Sequence, residues 1–257
     1  QSPLRGACTY RRLMRCLLRF QGRQRPLKFP IHRSLVARFL RHDVTSLLDY
    51  RNCLAAAVAT ICCLRPSEGA RLQACDVFFD YDVASGQEGY EGTAAINVMF
   101  RKNDQTRRGH HPRIGRSRDD ALDVVVQLRK FMQHAGTAPG PLCTKARRPH
   151  ARCPSCFPLF PPLQRLSDGR FQAQPQCPSS SSFSTMITAA IRCVGVDASA
   201  FSGVCARRGG ISTAIEAGVP EAILWLQSGH AQDRSARSYI RLTDPSLLYR
   251  TWEAFQL

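Results

Sequence analysis

Acidic side chains are few in this sequence: 19 Asp and Glu stand against 36 Lys and Arg, which leaves a formal charge of +17. Such an excess repels itself unless a polyanion shares it, and nucleic acid is the polyanion that fits best. Long apolar runs are missing as well. No stretch approaches the about 20 residues of a membrane span, and the start of the chain has no charged segment followed by an apolar one, so neither an anchor nor a signal peptide is predicted. A membrane surface fits less well than DNA because no long basic amphipathic helix with a bulky apolar face is present. Cysteine, by contrast, is plentiful at 12 residues. Cys53, Cys62 and Cys63 fall inside apolar helical runs, where thiols act as small hydrophobes. Together with the missing export signal this predicts a reducing, intracellular setting, with DNA in nucleus or nucleoid.

The 257 residues, 44% of them hydrophobic, suffice for one large core plus a remnant of another domain. The chain opens on Gln1, which reads as a piece of a longer protein. Residues 1–30 are expected to hold the last basic helix of a first domain, stopped at Gly22, and a proline-punctuated linker. Residues 31–257 form the main domain. Helical periodicity marks Ile31 to Leu40, Thr45 to Leu64 and Ala121 to His134, the last with Asp119 and Asp120 at its positive end. Leu72 to Phe79 reads as a strand, and Ala95 to Lys102 with His110 to Ile114 as a β-hairpin. From about 136 to 182 proline, glycine, serine and arginine predict an irregular insertion or flexible cover, and helix resumes from Thr185 to Val194. The fold class expected is therefore mainly α with a small antiparallel β-sheet (α+β), its roughly three strands lying between Leu72 and Ile114.

Chemistry concentrates between Phe201 and Arg241. A helix runs from Arg207 to a closing Gly218, a shorter one opens at Pro220 and ends at Gly229, and a third begins near Gln232. Short helices joined by glycine turns can aim Arg207, His230 and Tyr239 at one point. Singly, each has an ordinary reading: a solvated arginine, a capping histidine, a packing tyrosine. Jointly they supply a two-pronged phosphate clamp, a proton or hydrogen-bond donor, and a hydroxyl able to attack phosphorus.

The wording R-R-G-G-x-S-T-A-x-x-A-G from Arg207 to Gly218, then S-G-H ending at His230 and Y-I-R beginning at Tyr239, resembles the signature of the tyrosine recombinases, the phage-integrase-like enzymes. Upstream, L-R-x-S-E from Leu64 to Glu68 resembles the first arginine box of the same family. The resemblance implies a tyrosine recombinase catalytic domain, whose fold and chemistry type IB topoisomerases share. The S-G-H and Y-I-R wording and the insertion pattern favour a recombinase. It further implies that Tyr239 attacks double-stranded DNA to give a 3′-phosphotyrosyl link, and that Arg65 and Arg207 clamp the phosphate while His230 assists. Glu68 would orient Arg65, and Lys102, in F-R-K-N-D-Q, would protonate the leaving oxygen. Lys102 also has a plainer reading as a basic hairpin tip, since Arg101, Arg107 and Arg108 crowd the same loop; with Arg208 these are expected DNA contacts. The function implied is site-specific recombination or integration for a mobile element, without a cofactor. Copies would assemble as a tetramer on DNA through the carboxyl-terminal helix, which bears Leu247, Leu248, Trp252 and Phe255, unless that helix folds onto its own domain.

One position departs from the pattern. The family's box is H-x-x-R, and here Val204 stands where the histidine would. Valine neither accepts a proton nor bonds a phosphate oxygen, so a decayed relative that only binds DNA is the alternative expectation. Within the insertion, Cys143, His150, Cys153 and Cys156 offer four soft or borderline ligands within a short span. Their spacing is not a strong zinc pattern, free thiols are the simpler reading, and no metal is assigned from sequence.

Overall fold

Every residue from Arg51 to Ile61 is buried, which makes the helix Leu47–Ile61 the axis of the fold. The computed structural model describes residues 28–44, 46–82, 87–88, 91–99, 109–140, 143, 152–229 and 255. In chain order these contain α1 (Arg33–Arg41), α2 (Leu47–Ile61), α3 (Pro66–Gly69), β1 (Val77–Phe79), β2 (Tyr81–Asp82), β3 (Gln87–Glu88), β4 (Ala94–Ile96), β5 (Arg113–Ile114), α4 (Val124–His134), β6 (Leu163–Arg165), β7 (Phe171–Ala173), α5 (Ser180–Cys193), α6 (Val204–Glu216) and α7 (Glu221–Ser228). The chain is mainly helical with a small antiparallel sheet, ordered β1-β4-β5. Two further pairs, β2-β3 and β6-β7, stand apart from it.

Helix α2 starts where the Ser46 hydroxyl accepts from the Asp49 amide. Ala55, Ala56, Ala57 and Ala59 are wholly buried, and such small side chains let other helices approach an apolar helix on all sides. Aromatic residues extend this core. Phe131 of α4, Phe160 and Phe183 of α5 follow one another at ring-centroid separations of 6.0 and 6.1 Å. Phe255, near the chain end, is also fully buried in this same core.

Four expectations shift. The segment before β1 is not extended: Ala74–Asp76 form a 3-10 turn, because the Asp76 carboxylate reaches back to accept from the Gln73 amide. Helix α4 begins at Val124 because Asp123, rather than Asp119 or Asp120, accepts from the amides of Val125 and Val126. The insertion, read as irregular, has ordered parts in its described residues. It carries the β6–β7 hairpin, buries Leu159 and Phe160, and receives a hydrogen bond from the guanidinium of buried Arg51 at the Pro161 carbonyl, 3.0 Å. Helix α5 starts at Ser180, earlier than periodicity suggests, since the serine run caps it: the Ser179 hydroxyl accepts from the Ser182 amide. The expected helix within residues 1–22 lies outside the described residues.

Candidate functional site

Helix α2 ends in an unusual turn. Cys63 has φ +50°, in the left-handed region that residues with a side chain rarely occupy, and its carbonyl accepts from Arg207 Nη1 at 2.7 Å although the two residues are 144 positions apart. Immediately afterwards Arg65 precedes α3, and Glu68 folds back on it. One Glu68 oxygen accepts from the Arg65 amide at 2.8 Å, and the other from Arg65 Nη1 at 2.8 Å. Arg207 Nη1 lies 3.6 Å from the same carboxylate. A single buried glutamate therefore gathers both arginines, its side chain 0% exposed against 30% for Arg65 and 7% for Arg207. Two guanidiniums on one carboxylate leave a net positive charge. That is the electrostatic requirement for holding an anion such as a phosphodiester.

Two glycines make this geometry reachable. A Cβ on Gly209 would fall 1.9 Å from the Ile31 carbonyl oxygen, and one on Gly210 2.0 Å from the Thr60 oxygen. Helix α6 thus lies against the backbone of the Ile31 segment and the end of α2, which places Arg207 over Cys63. The same packing seats α7: Leu224 joins Cys63 and Ala214 in a small apolar cluster.

Helix α7 is also tied to the sheet. The buried Gln227 side chain accepts from the Arg113 amide at 3.0 Å and donates to the Arg113 carbonyl at 2.9 Å. Strand β5 pairs with β4, and the ladder continues in a Val98–His110 bridge, so α7 is linked through β5 to the ladder that carries Val98 and His110. At Gly229 the backbone turns at φ +63° just before His230. Sequence reasoning missed Gln227, whose partner is a backbone 114 positions away and leaves no local signal.

Arg65, Glu68 and Arg207 are thus brought together. Val204 opens α6 and is 47% exposed, while Arg208 is also exposed, one turn further along the same helix. The residue before Val204 abuts the turn that bears Arg65, since a Cβ on Gly203 would lie 2.9 Å from Pro66 Cγ. Lys102, Arg101, Arg107, Arg108, His230 and Tyr239 lie outside the described residues.

Desolvation pushes the Cys63 thiol beside the clamp up to about 12, with Arg207 opposing and Glu68 adding to the rise. A second side-chain group lies where the insertion meets the turn before β1: Cys143, Cys153 and Cys156 converge there with Cys75. Cys75 was not among the sequence candidates, and His150 lies outside the described residues.

Among the described residues no helix is long and apolar enough to cross a membrane. No family model matches the chain, and no curated protein matches it. Among solved structures, the integrase from mycobacterium phage Brujita is similar at 17% identity and a TM-score of 0.45; the match covers 91% of this chain and 59% of that integrase.

Proposed function

We propose that the chain breaks and rejoins DNA as a tyrosine recombinase of a mobile element, with Arg65 and Arg207 as the phosphate clamp. The observation that carries this reading is the shared Glu68 carboxylate, which sets the two signature arginines side by side from opposite parts of the chain. Tyr239 attacks the phosphorus. A Tyr239–phosphate bond forms as the hydroxyl releases its proton to solvent, the bond to the 5′ oxygen breaks, and Lys102 delivers a proton to that oxygen. His230 and the arginines stabilise the charge on the nonbridging oxygens. Rejoining reverses these steps. The protein acts where DNA is held, and copies of it assemble on the site.

The test is incubation with a pool of nicked duplexes of randomised sequence, followed by denaturing gels. A covalent protein–DNA complex is expected from the wild type and none from Tyr239→Phe. Duplex binding with no complex from either protein would leave the second reading, a DNA-binding relative that has lost cleavage, which Val204 favours.

Val204 itself is testable. Its exposure gives an introduced histidine room without displacing the core. Positioned acid–base groups contribute roughly 10² to 10⁴ in rate, so Val204→His should speed complex formation at least about tenfold, with Tyr239 still required. A stable Val204→His protein with unchanged rate would show that the missing histidine does not limit the reaction.

The basic surface predicts steep salt dependence, with log affinity falling by about 0.9 per phosphate contact for each unit of log salt. Arg208→Ala should make that slope shallower by about one. An unchanged slope removes Arg208 from the DNA contact.

A further inference from the structure

Three cysteines of the insertion and Cys75, from the turn before β1, make a built site. Their Sγ atoms all lie within 4.8 Å of one another, and the cluster they form contains only cysteines. We propose that Cys75, Cys143, Cys153 and Cys156 bind one zinc ion, which ties the insertion to the turn leading into β1.

Geometry separates this from the alternatives. A tetrahedral zinc with Zn–S bonds of about 2.3 Å places neighbouring sulfurs about 3.8 Å apart, and Cys143 Sγ lies 3.9 Å from Cys153 Sγ. A disulfide takes sulfurs two at a time at about 2.0 Å, whereas here four crowd one point. Thiolates are soft ligands that select zinc over the hard cations magnesium and calcium. Four of them close the coordination sphere, so the site is structural and leaves no position for substrate.

The surroundings are arranged for such a centre. Gln73, 1% exposed, donates to the Cys153 carbonyl at 2.7 Å and the Cys156 carbonyl at 3.0 Å, and accepts from the Cys153 amide at 2.7 Å. One amide side chain thereby shapes the C-x-x-C loop, as outer-shell partners do in metal sites. The Ser155 hydroxyl lies 3.2 Å from Cys153 Sγ. Main-chain bonds from Ala74 to Phe157 and from Leu159 to Leu72 lay the two segments against each other. Cys75 stands shortly after Glu68 in the chain, so the ion braces the strand that follows the arginine clamp. Because thiolates gathered by a metal contribute folding energy directly, its loss loosens that strand.

The experiment is metal analysis of the full 257-residue chain, purified with zinc present and reductant throughout, together with cobalt replacement. One equivalent of zinc per chain is expected, with a tetrahedral-thiolate absorption spectrum in the cobalt form. Zinc affinity should fall at least about tenfold in Cys75→Ser and Cys153→Ser, and by about 10- to 100-fold in Gln73→Leu. Cys177→Ser, outside the group, should keep the ion. Wild-type protein without zinc, whether its thiols are free or in disulfides, would overturn the proposal. So would zinc retained at full affinity in both Cys75→Ser and Cys153→Ser. The wild-type content and cobalt spectrum decide the matter even where a variant fails to fold.

Discussion

Arg207→Ala is expected to lower the yield of covalent protein–DNA complex by about 10²- to 10³-fold, the cost of removing one preorganised donor from a developing anion. Overall DNA affinity should change little, because the remaining cations of a +17 chain still meet the backbone. Arg207 is fixed in place by its surroundings. It is buried, it donates to the Cys63 carbonyl at 2.7 Å, and it shares Glu68 with Arg65, so its guanidinium is oriented before substrate arrives. An exposed arginine would lack that preorganisation. Complex yield and equilibrium binding, measured on the same nicked duplexes, check the split. Equal losses in both would make Arg207 a general DNA contact, and an unaltered yield would remove it from the clamp.

Gly210→Ala should have the largest effect on stability. The added methyl would meet the Thr60 oxygen at 2.0 Å and Cys63 Sγ at 2.8 Å. Backbone cannot swing aside as a flexible side chain does, so α6 must move off α2, at a cost of about 3 kcal/mol or more. The same displacement draws Arg207 away from Glu68, and cleavage is lost with packing. Gly218→Ala is the contrast. Nothing lies within 4 Å of the added atom there, although φ is +72°, so the penalty is the smaller conformational one, about 1 kcal/mol. Chemical denaturation of the three proteins gives the ordering; a Gly210→Ala protein as stable as the wild type would contradict the close approach of α6 to α2.

Periodicity made the helices legible, because α2, α4 and α5 each keep apolar residues at helical spacing. Their ends were less so. The start of α5 hid in a serine run, where a weak helix former doubles as a strong cap, and the 3-10 turn before β1 depended on one carboxylate folding back to Gln73. Within the site, the arginine boxes were visible as motifs, but the carboxylate that joins them was assigned to Arg65 alone. Its bond to Arg207 is tertiary and has no local trace. Cys75 escaped for the same reason. C-x-x-C announces itself by spacing, whereas a ligand brought in from the turn before β1 does not. Gln227 shows the limit most clearly, since nothing in the sequence marks an amide that pairs with the Arg113 backbone.

In the proposed reaction Arg65, Glu68 and Arg207 serve a tyrosine that joins itself to DNA. Digestion of the covalent complex followed by mass spectrometry of the DNA-bearing peptide tests this most directly. The expected result is a single linkage at Tyr239 to a 3′ phosphate, its yield about 10²- to 10³-fold lower in Arg207→Ala. A linkage at another tyrosine such as Tyr249, a 5′ phosphate at the junction, or the same linkage at full yield in Arg207→Ala would contradict it.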